Sequence, residues 1–225
     1  MSIDADLPAI AVIGGTGKEG KGLAYRWSKA GYRVIIGSRS AEKAAVAADE
    51  LQQLLLAGIP PTGMSNLEAV SIAAVVVLTV PHEAHAGILE SIRPAMRGRL
   101  LVDATVPLQA GRPTRVLMPP AGSAAQEARQ ILGEGSEVAA AFHTISHDHL
   151  FKNDPIDCDV LVTGTSGEAR AQALRLVTAA GLRGWDAGPL ENSSVSEGLT
   201  SVLIHINKKY GTRHAGIRIT GADQD

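Results

Sequence analysis

Six residues near the N-terminus, Gly15-Thr16-Gly17-Lys18-Glu19-Gly20, have the spacing G-x-G-x-x-G. That spacing suits a pyrophosphate. The first glycine permits a tight turn, the second lets the backbone approach the anion, and the third lets the following helix close on its strand. The unpaired amides of the helix N-terminus then face the ligand. In a chain with 24 glycines the spacing alone is a weak signal. Here it follows a predicted strand and opens a predicted helix, which is the context the chemistry needs. The competing reading is a glycine turn that holds nothing.

A second cluster, Gly37-Ser38-Arg39-Ser40 with Lys43 one helical turn on, lies where the next strand ends. NAD-preferring sites place a carboxylate there for the ribose 2′-hydroxyl. A serine, a guanidinium and an ammonium instead offer charge-assisted hydrogen bonds to a 2′-phosphate. The plain alternative is a solvated helix start, but cations at a helix N-terminus oppose its dipole. A bound anion removes that conflict, so the expected ligand is NADP rather than NAD.

A bound NADP carries hydride to or from a second substrate, and such a transfer asks little of side chains beyond orientation and the exclusion of water. The reacting carbons must be held about 3–3.5 Å apart. Thr79-Val80-Pro81-His82 and Phe142-His143-Thr144-Ile145 each follow a predicted strand, and in a doubly wound sheet ligands sit beyond such strand ends. Val80, Pro81 and Ile145 would make an apolar wall, with Thr79 and His143 available for amide or carbonyl contacts. His143 is the candidate catalytic group, as a hydrogen-bond donor to a ring carbonyl or a stabiliser of charge developing there. A purely structural histidine is an equal reading, because hydride transfer does not demand an acid.

Other chemistry-bearing residues lead less far. His82-Glu83-Ala84-His85 has His-x-x-His spacing, not the His-Glu-x-x-His of zinc proteases. His143, His147, Asp148 and His149 could gather a metal only without support from a second cluster, so no metal is expected. Cys158 lies between Asp157 and Asp159, whose charges disfavour a thiolate. Gly164-Thr165-Ser166-Gly167 lacks the spacing of a nucleophilic serine turn and reads as a helix start.

The elements that must position these residues alternate. Apolar runs at Ile10 to Ile13, Arg33 to Gly37, Ala73 to Val80 and Leu100 to Val102 read as buried strands. Val138 to Phe142 and Val160 to Val162 add two more. Helices are predicted from the glycine turn to Ala30, over Ala41 to Ala57, Ala124 to Leu132 and Glu168 to Ala180, each bounded by glycine, proline or a polar cap. Val195, Leu199, Val202, Leu203 and Ile206 form an apolar stripe on a last helix, Ser194 to Tyr210. Pro107 to Gly122, with four prolines, reads as a loop. The pattern is that of βαβ units: an α/β fold with a doubly wound, mostly parallel sheet of Rossmann type. Residues 1–188 would form an extended NADP-binding domain. Residues 189–225 would form a small helical segment for dimerisation and the second-substrate pocket.

The chain has 225 residues, 45% hydrophobic and 20% charged, enough for one core and inconsistent with wholesale disorder. A single cysteine excludes an internal disulfide and a cysteine-bound metal centre. A net charge of −2 and 3% aromatics argue against nucleic acid and anionic lipid. The acidic start, Met1 to Ala9, carries no signal-peptide pattern, and no apolar run reaches the ~20 residues of a membrane span. The expected location is cytoplasmic.

Taken together, Ile13-Gly14-Gly15-Thr16-Gly17, Gly20-Lys21-Gly22-Leu23-Ala24 and Ile36-Gly37-Ser38-Arg39 resemble the NADPH:F420 oxidoreductases. These enzymes exchange hydride between NADP and the deazaflavin coenzyme F420. The resemblance continues through Val77 to Pro81, His143-Thr144-Ile145, Asp186-Ala187-Gly188-Pro189-Leu190 and Glu197-Gly198-Leu199-Thr200, so it spans nearly the whole chain. It implies that Thr16, Ser38, Arg39 and Lys43 bind the NADP phosphates. It also implies that His143 and Ile145 line the deazaflavin pocket and that the C-terminal helix helps form a homodimer.

Three segments depart from the family pattern: Ser146 to His149, the loop Gln109 to Pro120, and the basic run Lys208 to His214. The basic run is either a solvated face or an attractor for the anionic coenzyme tail. Two competing functions stay open at this level. One is NADPH-dependent reduction of another flavin, imine or small carbonyl compound; the other is non-catalytic redox sensing by bound NADP.

Overall fold

The computed structural model describes residues 7–151 and 155–222. Most of the acidic N-terminal stretch, residues 1–6, lies outside them. Sixteen elements follow in order: β1 (Ile10–Ile13), α1 (Lys18–Lys29), β2 (Val34–Ser38), α2 (Ala41–Leu54), β3 (Thr62–Ser65), α3 (Asn66–Ile72), β4 (Val75–Leu78) and α4 (His82–Ile92). The second half contributes β5 (Leu100–Asp103), α5 (Ala124–Leu132), β6 (Glu137–Ala140), α6 (His147–Leu150), β7 (Asp159–Gly164), α7 (Gly167–Ala179), β8 (Arg183–Pro189) and α8 (Ser193–Tyr210).

The strands form one sheet in the order β3-β2-β1-β4-β5-β6-β7-β8. Every neighbouring pair is parallel except β6 with β7. The first six strands thus have the doubly wound order 3-2-1-4-5-6, whose direction of winding reverses between β1 and β4. The apolar runs are continuous because both faces of the sheet are covered. Ile10, Val12, Val75 and Val77 face a core completed by Leu23, Trp27 and Leu176, while Ala11, Ile13, Val76 and Leu78 face Leu89, Ile92 and Leu101. Each such large side chain contributes about 1.5–3 kcal/mol by leaving water. Trp27 also donates its indole N–H to the Leu176 carbonyl at 2.8 Å, tying α1 to α7.

Predicted elements are present with shifted ends, and five more accompany them. α2 stops at Leu54, short of the expected Ala57, because the chain must swing back to α1: Ile59 donates to the Ser28 carbonyl at 2.9 Å. Gly58 makes that return possible at φ +114°, where an added Cβ would lie 2.2 Å from the same carbonyl. β6 ends at Ala140, and Phe142 turns out of the strand with φ +73°. The segment Pro107 to Gly122 carries one isolated bridge, Leu108 to Val116. β3, α3, α4, α6 and β8 are the additions. β8 runs through residue 188 to Pro189, and α8 then packs on α5 and β7.

Candidate functional site

The turn between β1 and α1 is built almost wholly from backbone. Gly14 has φ +82°, and a Cβ there would sit 2.6 Å from the Thr79 carbonyl oxygen. Gly17 donates its N–H to the Gly14 carbonyl at 2.9 Å and caps α1 with no side-chain hydrogen bond. The first amides of α1 therefore remain free of a side-chain cap, the arrangement that receives an anion. A Cβ at Gly20 would meet Thr79 Oγ1 at 2.6 Å and the Gly14 oxygen at 2.8 Å. Gly20 accordingly stands beneath the turn, where it lets α1 close on β1. Thr79 locks β4 to β1 through its N–H and hydroxyl, both donated to the Ile13 carbonyl, at 2.9 and 3.1 Å.

A cleft of about 200 Å³ gathers Gly14, Thr16, Gly17, Ser38, Arg39, Thr79, Val80 and Pro81, while Gly15 and Gly20 pack behind it without lining it. It lies at the carboxyl ends of β1, β2 and β4, at the reversal of winding, where ligands of such sheets bind. Arg39 is exposed at the rim, and Ser38 Oγ accepts the Ser40 N–H at 3.3 Å. No carboxylate stands at the end of β2. Lys43 is exposed on the first turn of α2 and does not line the cleft; its N–H donates to the capping Ser40 hydroxyl. A larger hollow of about 590 Å³ lies at the opposite ends of the strands, around Arg97 to Leu100. There Arg99 is committed to the carbonyls of Ser71, Ala73 and Ala95, so that hollow lacks a free cation from it.

Sequence reasoning did not single out three further lining residues, Asn66, Ala84 and Ile88. Asn66 opens α3 and its buried Oδ1 has no hydrogen-bond partner. The signal for it was in the sequence. Ser65-Asn66-Leu67-Glu68 is a capping box, with Ser65 Oγ accepting from the Glu68 N–H and Glu68 accepting from the Ser65 N–H.

His143 and Ile145 follow β6, two strand spacings or about 10 Å from β4, with the end of β5 between. The His143 ring is buried, and neither of its nitrogens has a partner. Burial pushes its pKa down to about 4 against the opposing pull of Asp103, so the ring is neutral near pH 7. Its peptide is held by Thr200, whose hydroxyl donates to the His143 carbonyl at 2.7 Å. Ile145 is half-buried and packs on the core face that contains Trp27, away from the cleft residues. A Thr105 hydroxyl beyond β5 is likewise buried without a partner. Unpaired buried polar atoms call for a ligand or water to satisfy them.

Several motifs have structural work. Asp186 accepts from the Gly188 N–H and from Arg170, fixing the turn at the end of β8. Glu197 is buried on α8 and accepts the Ala124 and Ala125 N–H groups at 2.7 and 3.1 Å, so it caps α5 from a distance. Burial raises its pKa to about 8 despite those amides. Ser166 caps α7, and burial raises the pKa of the Cys158 thiol, as the nucleophile reading required it not to. Ser146 to His149 begin α6, whose Leu150 fills the space above Gly22. His147 pairs with Asp148 at 3.2 Å, and His143, His147, Asp148 and His149 do not converge. Lys208 and Lys209 occupy the last turn of α8, where cations complement the helix dipole. Among the described residues no helix is long and apolar enough to cross a membrane.

The chain is similar to known proteins along its whole length. Residues 9–107 match the family of coenzyme F420-dependent NADP oxidoreductases. The F420-dependent NADP reductase of Methanothermobacter thermautotrophicus (strain Delta H) is 45% identical over 220 residues, covering 94% of each chain. That of Methanocaldococcus jannaschii is 38% identical over 222 residues, covering 95% of this chain and 99% of the other. The fold is also that of a crystal structure from Arthrobacter sp. FB24, with TM-score 0.78, 22% identity and coverage of 95% and 99%. A Plasmodium falciparum pyrroline carboxylate reductase with NADP bound shares it more loosely, with TM-score 0.57, 11% identity and coverage of 90% and 67%. On the extent and level of the first two matches, the chain belongs to the F420-dependent NADP reductase family.

Proposed function

We propose that this protein transfers hydride reversibly between NADP(H) and coenzyme F420. The observation that carries the reading is the cleft at the β1–β4 reversal, lined by glycine backbone and flanked by Ser38 and Arg39 in place of a carboxylate. In the reducing direction a hydride, with its electron pair, leaves the nicotinamide of NADPH for the deazaflavin ring. One proton from solvent completes reduced F420, and NADP⁺ remains.

Gly15, Thr16, Gly17 and the α1 amides would hold the pyrophosphate, with Gly20 permitting the turn. Ser38 and Arg39 would hold the 2′-phosphate, joined by Lys43 if its flexible stem swings over the capped helix start. Thr79, Val80 and Pro81 would flank the nicotinamide. His143 would face the deazaflavin across the end of β5, with Ile145 backing its loop from the Trp27 face. With its pKa at about 4, a neutral His143 suits hydrogen bonding to a ring carbonyl, not proton donation. Residues 1–188 would act as the NADP-binding body and 189–225 as the part completing the second pocket.

Rapid mixing with NADPH and oxidised F420 tests the reading: loss of deazaflavin absorbance is expected, much faster than with NADH. Arg39→Ala should weaken NADPH about 10–100-fold, the worth of a charge-assisted hydrogen bond, and leave NADH nearly unchanged. Equal use of the two dinucleotides by the unaltered protein defeats the NADP assignment. His143→Ala with saturating NADPH separates a role in the reaction from a structural one, since an unchanged kcat would leave it structural. Val195 and Val202 on α8, 63% and 45% exposed, together with exposed Val116 and Leu117, support a homodimer through this face. Light scattering reads it directly. A cytoplasmic location fits the single cysteine, which burial keeps unreactive.

A further inference from the structure

His82 and His85 are one turn apart on α4, so both project from the same side of the helix. That side is turned to α5, and the neighbouring Ala84 and Ile88 line the cleft. Glu127, in the first turn of α5, meets them: its Oε2 lies 3.1 Å from His82 Nε2 and 3.1 Å from His85 Nδ1. The three donor atoms all fall within 4.8 Å of one another. Around a tetrahedral zinc with bonds of about 2.0–2.1 Å, neighbouring donor atoms stand about 3.4 Å apart. Both contacts of Glu127 are close to that spacing already.

The surroundings are those of a built site. His85 Nε2 faces Asp103 Oδ2 at 2.7 Å, and both side chains are 0% exposed. This contact fixes the ring with Nδ1 toward Glu127, and a buried carboxylate behind an imidazole is the usual support of a metal-binding histidine. His82 and Glu127 are each 27% exposed, so an ion has a way in and a position open to water. Two carboxylates, Asp103 and Glu127, converge on His85. A divalent cation would balance that concentration of acid.

We propose that His82, His85 and Glu127 form a site for zinc or a similar borderline divalent cation, with Asp103 positioning His85 from behind. Two imidazoles and one carboxylate select such an ion over magnesium or calcium, which prefer all-oxygen shells. The ion would clamp α4 to α5 and so hold in place the helix whose Ala84 and Ile88 line the cleft. The site stands independently of the proposed reaction, because binding alone tests it.

The full chain, stripped with a chelator, is titrated with Co²⁺ and then displaced with Zn²⁺, following cobalt absorbance and metal content. One equivalent per chain is expected, with visible ligand-field bands and a rise in Tm on zinc loading. D103N should weaken binding about 10–100-fold, the usual effect of losing such support. H82A and E127Q, which remove ligands outright, should weaken it further. H149A/H214A removes the other close pair of imidazoles among the described residues, whose rings lie 4.2 Å apart, and should leave binding unchanged. Should E127Q or D103N fail to fold, H82A carries the test, because its partly exposed ring makes a single hydrogen bond. Less than one equivalent, equal affinity in H82A, or loss of binding in H149A/H214A overturns the site. In that event the cluster is a hydrogen-bonded strut between α4 and α5 and no more.

Discussion

The amino-terminal half of the crevice, from Gly14 to Arg39, and the carboxyl-terminal half, around Asp103, His143 and Glu197, lie side by side on one sheet. The first is assembled within about one βαβ unit and consists mainly of backbone, free amides and absent side chains. The second draws its groups from α4, β5, α5, β6 and α8, and consists of buried titratable side chains that satisfy one another in part. A backbone cradle depends on shape, so steric changes damage it most, and Glu19 in the first turn of α1, raised by burial to about 8, is its titrating group. A buried side-chain network depends on charge, so pH damages it and modest changes of shape are absorbed.

The strongest test of that contrast is steric. Gly14→Ala places a Cβ 2.6 Å from a carbonyl oxygen at a positive φ. Left-handed backbone and overpacking together cost about 4 kcal/mol, read as a lower denaturant midpoint with loss of dinucleotide binding. A loss that varied with pH would contradict the steric account.

The second test is electrostatic. Glu197, raised by burial to about 8, has a folded pKa above its unfolded one. Its contribution is present below about pH 4.5 and is lost as pH rises through 8. His143, lowered by burial to about 4, behaves oppositely: its contribution is present above about pH 6.5 and is lost as pH falls toward 4. Glu19, in the first turn of α1, is raised by burial to about 8 as well. Stability should therefore fall by about 2 kcal/mol between pH 5 and 6.5, where His143 offsets one of the two slopes, and by about 4 kcal/mol from there to pH 8. Glu197→Gln should halve the fall above pH 6.5, and His143→Asn should steepen the decline below it. Thermal unfolding across that range reads both, and a Glu197→Gln curve parallel to the parent would refute the assignment.

The smallest effect sharpens the comparison with a neutral third region. Ser166 caps α7 and also donates to Glu137, remote from the crevice. Ser166→Ala should cost about 1 kcal/mol in urea melts and leave the KM for either substrate unaltered.

The same contrast governs what could be read from the chain. The glycine turn, Ser38 and Arg39 were legible because their partners are close in sequence and their spacing is itself the signal. β1, β2, β4 and β5 were legible as apolar runs buried on two faces. β3 and β8 were not, because Thr62–Ser65 and Arg183–Pro189 are edge strands with no such run. α4 hid behind the Pro81 strand end, and with it the facing of His82 and His85 toward Glu127. The Glu197 contact spans more than 70 residues, and nothing local to α8 announces that its carboxylate ends another helix.

Phe142 holds a further consequence. A bulky residue at φ +73° costs about 1–2 kcal/mol in backbone energy, and it sits immediately before His143. Its ring meets Trp27 edge-on with centroids 5.8 Å apart, inside the core on the far side of the sheet. The aim of the histidine is thus braced by an indole that never touches a ligand. Trimming Trp27 would let the peptide before His143 spring back to an ordinary conformation, so that a lesion deep in the hydrophobic interior would surface as misdirected chemistry at the crevice.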